Sequence, residues 1–263
     1  MGLIGTIIGD IAGSQYEFGK PEKFNCRTAP LFTEGSDFTD DTVLAIATKY
    51  AIDNQISFTK AYQKFAREYP GRGYGGNFYE WIYSDNPRPY NSYGNGSAMR
   101  VAYVADFYST EKEVLDVARE SAIVTHNHPE GIKGAQATAM CSYMARTGAN
   151  KFEIRKYIVD QYGDYYFKTP VNRIFRKYNW NEICQDSVPL AVRCFLDSED
   201  YVDFLRKVLF FDCDADTICA IGGCIAENYY KTIGLSTSLI LNTYLDQNLL
   251  AIINEGSCSE KDN

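Results

Sequence analysis

Two acidic clusters stand far apart in this chain, Thr39-Asp40-Asp41-Thr42 and Asp214-Ala215-Asp216-Thr217, each immediately before a helical pattern. One reading is helix capping, because Asp and Thr accept hydrogen bonds from first-turn N–H groups and their charge suits the positive end of the helix dipole. Capping needs only one such residue per helix, however, and neighbouring carboxylates repel unless a cation or solvent screens them. The other reading is a metal site. Its donors would be carboxylate and hydroxyl oxygens, with neither thiolate nor imidazole in the clusters, a set that favours Mg²⁺, Mn²⁺ or Ca²⁺ over zinc or copper. Four aspartates can neutralise two divalent cations held about 3.5–4 Å apart. Taken by themselves, the clusters leave both readings open.

Three other segments have residue types that could do chemistry. Tyr93-Gly94-Asn95-Gly96-Ser97-Ala98-Met99-Arg100 places two glycines before a helix start, where free backbone N–H groups can receive an anion such as a pyrophosphate. An Asn-Gly pair is also an ordinary turn. Thr125-His126-Asn127-His128-Pro129-Glu130 holds both histidines of the chain, and Gly71-Arg72-Gly73-Tyr74-Gly75-Gly76 suits a substrate loop or a surface turn equally. Near the start, Gly5, Gly9 and Gly13 recur every four residues and so form one smooth helical stripe. Glycine costs a helix about 1 kcal/mol each, so such a stripe predicts close approach of another backbone. Asp10 and Glu17 sit seven apart, on nearly the same side. The opening Met-Gly-Leu-Ile-Gly-Thr also fits the loose myristoylation pattern at Gly2, in competition with a buried helix.

The elements that must position these groups read as helices. The 263 residues are 45 % hydrophobic, enough for a sizeable core and for one domain. After the first helix comes a loop from about Lys20 to Phe38; helical spacing then runs from Thr42 through Tyr50. Further helices are predicted near 58–69, 111–124, 130–147, 151–162, 199–210, 216–230 and 235–253. Loops are predicted over Pro70–Gly76, Asp85–Gly96 and Phe167–Asn181. The prediction is a single compact all-α domain over 1–256, with a polar tail over 257–263. A net charge of −8 argues against general nucleic-acid affinity. The eight scattered Cys contain no C-x-x-C pair and read as small buried hydrophobes in a reducing, cytoplasmic setting. No stretch reads as a membrane span or a signal peptide.

Taken in order, GDIAGSQYEF, FTDDTVLAIA, GRGYGGNFYEWI, SYGNGSAMRV, VTHNHPEGIKGA and DADTICAIGGCIAENYY resemble the ADP-ribosylglycohydrolase family, typified by the enzyme that reactivates dinitrogenase reductase. The resemblance runs over nearly the whole chain. It implies an all-α fold with two divalent cations, Mg²⁺ or Mn²⁺, at the bottom of a cleft. Thr39, Asp40, Asp41, Asp214, Asp216 and Thr217 would be the metal ligands. Glu17, with Asp40 and Asp41, would serve catalysis. Tyr74, Gly75, Asn95, Gly96, Ser97, Met99 and His126 would line the place of the ligand's phosphates and ribose. Two departures stand out. Asp212-Cys213 replaces the Gly-Gly that usually precedes the family's second cluster, and the aspartate that faces the guanidinium in arginine-specific relatives has no clear counterpart, its region offering Asn77 and Glu80.

The implied activity is hydrolysis of the C1″ bond of an ADP-ribosylated protein or small-molecule conjugate, through oxocarbenium character on the ribose. Alternative readings are a metal-dependent nucleotide phosphohydrolase, a non-catalytic ADP-ribose-binding member, and a crystallin-like structural member.

Overall fold

A computed structural model describes residues 1–255; the predicted polar tail over 257–263 lies outside the described residues. The elements in chain order are α1 (Gly2–Ser14), α2 (Asp40–Asp53), α3 (Phe58–Glu68), α4 (Gly76–Tyr83), α5 (Gly96–Met99), α6 (Ala102–Phe107), α7 (Glu111–Ile123) and α8 (Pro129–Arg146). There follow α9 (Lys151–Tyr162), α10 (Tyr165–Lys168), α11 (Val171–Lys177), α12 (Cys184–Asp197), α13 (Tyr201–Val208), α14 (Ala215–Tyr230), α15 (Thr237–Tyr244) and α16 (Gln247–Asn254). The expected all-α architecture is what the chain adopts. Among the described residues the extended pairing consists of one isolated antiparallel bridge, Gly94 with Ile183. Among the described residues no helix is long and apolar enough to cross a membrane.

Helix α14 runs through the centre: every residue from Ala215 to Ala226 is buried, as for a helix apolar on all sides. The glycine stripe of α1 packs directly on it. A methyl group added to Gly5, Gly9 or Gly13 would overlap the carbonyl of Gly223, Cys219 or Ala215, respectively. The two registers run in opposite directions, so the helices are antiparallel, and Thr6 Oγ1 donates to Ala220 O across the seam at 3.1 Å. Gly9→Ala is therefore expected to destabilise the fold by about 2 kcal/mol or more through overpacking. A thermal melt should show Tm lower by roughly 4–8 °C; an unchanged Tm would mean that the helices can part freely. Gly2 is buried with its N–H donating to Asp106 Oδ1 at 2.8 Å, which places the opening motif in a packed helix start.

Several boundaries differ from the predicted ones. Helix α12 falls where none was predicted, because Pro189 stands inside it and removes a helical donor. Helix α11 occupies part of the predicted loop over Phe167–Asn181. The single helix predicted over 235–253 is broken at Leu245–Asp246, where the Asp246 carboxylate caps α16 by accepting from Asn248 N and Leu249 N. The loop over Pro70–Gly76 is tied down at Arg72, which donates to Asp37 Oδ2 at 2.6 Å and to Phe38 O at 2.9 Å.

Candidate metal centre and cleft

The antiparallel seam decides which carboxylates meet. It lays the C-terminal end of α1 beside the N-terminal end of α14, so Asp10 and Glu17 come next to Asp214 and Asp216. The start of α2 is fastened to the same point by Asp10, whose carboxylate accepts from Thr39 N (2.9 Å), Thr39 Oγ1 (2.8 Å) and Thr42 N (3.1 Å). Two overlapping triads result. Carboxylate oxygens of Asp10, Asp41 and Asp216 lie within 4.8 Å of one another, as do those of Glu17, Asp214 and Asp216.

Capping accounts for only part of this arrangement. Thr39 caps α2 by accepting from Asp41 N at 3.3 Å. Asp214, at the corresponding position of α14, makes no side-chain cap bond and instead accepts from Asn95 Nδ2 at 2.7 Å. Asp41 Oδ2 accepts from Thr217 Oγ1 at 3.1 Å, while Asp41 Oδ1 is buried without a partner. An orphaned carboxylate oxygen among other carboxylates is an unsatisfied demand for positive charge. The donor set, all oxygen, fits a hard divalent cation.

Electrostatics reinforce the point. Burial, followed by the charges of Asp10, Asp40 and Asp214, holds the Asp41 carboxyl well above the usual carboxylate range. Asp216 is raised in the same way, by burial and then by Asp214 and Asp41. Asp40 is raised by burial and then by Asp10 and Asp214. Asp10 is pushed up to about 6 by burial, against the pull of its bonds from Thr42 and Thr39. Glu17, half-buried, is pushed up to about 7, chiefly by burial and next by the Asp214 charge.

Above the triads opens a cleft of about 290 Å³. Glu17, Thr39, Asp40, Asp214, Asp216 and Thr217 face it, and so do Gly75, Asn95, Gly96, Met99 and His126. Asp41 lies buried among its neighbours and reaches Thr217. Two residues expected at the ligand do not line the cleft. Tyr74 turns its hydroxyl to Tyr69 O at 2.8 Å, and Ser97 is fully buried with its hydroxyl donating to Gly131 O at 2.7 Å. Sequence reasoning missed Glu182 and Tyr90, which line the cleft, and the part of Asp10. Asp10's signal was a carboxylate on a helix otherwise smooth and apolar. Of the arginine-facing candidates Asn77 lines the cleft, and its side chain carries no charge.

A further part of the cleft wall is built by the Gly94–Arg100 turn and His126. Arg100, fully buried, stacks over Tyr62 at 4.3 Å and donates to Ser121 O and Thr125 Oγ1, both at 2.9 Å. The Thr125 hydroxyl lies 2.7 Å from His126 Nδ1. One assignment of protons satisfies all three groups: Thr125 accepts from Arg100 and donates to Nδ1, leaving the ring proton on Nε2. That atom faces the turn, within 3.3 Å of where a methyl on Gly96 would sit. Burial, and then the Arg100 charge, hold the His126 pKa well below its usual value. NMR of the imidazole should therefore show a ring that stays neutral as pH falls from about 8 through about 6.5, where a free histidine titrates. A ring that protonates within that window would contradict the assignment.

Residues 1–248 match the sequence model of the ADP-ribosylglycohydrolase family, and the chain belongs to that family. ADP-ribosylhydrolase ARH3 of Homo sapiens is 26% identical over 304 residues, covering 87% of this chain and 84% of that protein. ARH3 of Mus musculus is 24% identical over 311 residues, covering 87% and 82%. A solved ADP-ribosylglycohydrolase-related protein complex shares the fold, with a TM-score of 0.71 over 95% of this chain and 93% of that one, at 19% identity. The family acts on ADP-ribosylated substrates, and the buried acidic clusters are compatible with its binuclear metal centre.

Proposed function

We propose that this chain hydrolyses the C1″ glycosidic bond of an ADP-ribosyl conjugate and releases ADP-ribose, with the help of two divalent cations, Mg²⁺ or Mn²⁺. The observation that carries the reading is the pair of carboxylate triads sharing Asp216 beneath the cleft. Asp40, Asp41, Asp214 and Asp216, with the hydroxyls of Thr39 and Thr217, would hold the cations. When bound, the cations supply positive charge that orients the ribose hydroxyls and stabilises developing negative charge.

The protein's own groups divide the remaining work. Asp10 spends its lone pairs on Thr39 and Thr42 and so fixes the start of α2; it acts through Thr39. Asn95 holds Asp214, and is held in turn by Ser187 of α12 at 3.0 Å. Gly75 and Gly76 leave open space where a side chain would project, so a ligand can approach the backbone there. His126 presents a neutral N–H donor to a phosphate without adding a full charge. Glu17, whose carboxyl burial and the Asp214 charge push up to about 7 before any cation binds, borders the cleft as the group placed to give or take a proton.

The test is incubation with defined ADP-ribosyl conjugates of arginine, serine, O-acetyl and base linkages, followed by mass spectrometry. Free ADP-ribose is the expected product from at least one linkage, formed with Mg²⁺ or Mn²⁺ and lost on chelation. A product split at the pyrophosphate would make the chain a phosphohydrolase. Binding of ADP-ribose without turnover of any conjugate would make it a binding module.

A further inference from the structure

A second hollow, of about 530 Å³, adjoins the cleft and shares Glu17 with it. Phe18, Lys20, Trp180 and Asp212 form its other principal walls. Phe18 is 84% exposed and Trp180 43% exposed, and their rings are inclined at 41° with centroids 6.3 Å apart. Single exposed aromatics are ordinary. Two of them from distant segments, paired beside a carboxylate that can transfer a proton, make a platform.

Charge tells which end of a substrate the platform suits. Lys20 is the one cation among the hollow's lining residues, and it is turned inward, its side chain 11% exposed. Its ammonium is bonded to Phe211 O and paired with Asp212 Oδ1 at 3.2 Å. The Asp212 side chain is 80% exposed and Lys20 meets only its Oδ1, so with Glu17 the hollow sets two carboxylates against one ammonium beside two aromatic rings. The one ammonium in the hollow is already engaged by Phe211 O and Asp212, so a pyrophosphate finds no free cation there. The neutral imidazole donor and the glycine turn lie in the first cleft, and Glu17 stands at the border between the two.

We propose that Phe18, Trp180 and Asp212 form the subsite for the acceptor, and that it takes a cationic peptide segment, with Lys or Arg beside the ADP-ribosylated residue. A basic side chain would lie over the aromatic faces and reach the Asp212 carboxylate. The net charge of −8 favours the same partner at longer range. The inference rests on the proposed hydrolysis and adds the class of acceptor.

The experiment uses paired peptides, ADP-ribosylated on serine and on arginine, each flanked either by lysines or by glutamates. At low ionic strength the lysine-flanked member should have a kcat/KM about tenfold higher, carried by KM and shrinking with added salt. Asp212→Lys should erase or reverse that preference. Phe18→Ala and Trp180→Ala should each raise KM for the lysine-flanked peptide by about three- to tenfold. The Kd of free ADP-ribose should stay unchanged in all three variants, which also reports that they are folded. Release of ADP-ribose with no dependence on the flank, or a preference that survives Asp212→Lys, overturns the subsite alone. No release from any conjugate of either linkage or flank overturns the hydrolysis, and the subsite with it.

Discussion

Replacing Asp216 by Asn is expected to remove turnover and, in the same protein, to make the cation-free form more resistant to heat at neutral pH. The side chain belongs to both carboxylate triads, so its loss should remove binding of both cations. Wild-type protein should gain roughly 5–10 °C in Tm when Mg²⁺ or Mn²⁺ is present at about a hundred times its Kd. Asp216→Asn should gain almost nothing, and its turnover should fall by at least about 10³-fold. The rise in cation-free stability follows from linkage. Asp10 is held near 6, and Asp41 and Asp216 well above their usual range, so the folded protein binds more protons than the unfolded chain. A carboxyl raised in the folded state contributes stability below its unfolded pKa and loses it as pH rises through the folded value. Without cations, then, Tm should climb as pH falls from 8 to 6. Glu227, raised to about 7 chiefly by burial, pushes in the same direction. With cations the slope should flatten, because they supply at high pH the charge that protons supply at low pH. Calorimetry of both proteins across that window decides the matter. A wild-type melt indifferent to both pH and cation would mean that the triads are neither repelling nor metal-binding.

The fold was legible where local pattern and tertiary need coincide. Thr39 before α2 and Asp214 before α14 mark helix starts by chemistry that stays within a few residues, and the glycine stripe of α1 announces a neighbour without naming it. That neighbour is α14, and only the antiparallel register shows that Asp10 and Glu17 reach its first turn. Asp10 therefore looked like an interruption in an apolar helix rather than the residue that fastens Thr39. Helix α12 was hidden because Pro189 contradicts helical propensity locally, and packing overrides it: the residues from Ser187 to Val192 are all buried. Through Ser187 that unforeseen helix holds Asn95, which holds Asp214. Ser97 shows the converse. Its place in a glycine-rich turn pointed to a ligand contact, but its hydroxyl is consumed by Gly131 O in the interior. Sequence order identifies the segment that forms the wall, and the backbone path decides which of its side chains look outward.

Glu17→Gln is expected to lower the rate by roughly 10²–10⁴ while leaving ADP-ribose affinity little changed. The amide keeps the size and hydrogen-bonding shape of the carboxyl but can neither give nor accept the proton. Glu17 follows α1, the helix clamped most tightly to α14, and its carboxylate lies within 4.8 Å of those of Asp214 and Asp216. Removing its charge relieves repulsion on both, so Tm without cations should equal or exceed that of wild type. A variant that merely misfolded would lose stability and activity together. The pH profile adds a readout that packing alone would not move. The wild-type rate should bend where Glu17 titrates, at a pH below the value near 7 that it holds without cations because bound cations favour its ionised form, and the bend should vanish in Glu17→Gln. A rate that declines above the bend makes Glu17 the acid that protonates the departing acceptor; a rate that declines below it makes Glu17 the base that activates water. If Glu17→Gln instead works at near wild-type rate with the bend intact, proton transfer belongs to Asp40, the other raised carboxyl on the cleft, and Glu17 only borders the acceptor's path.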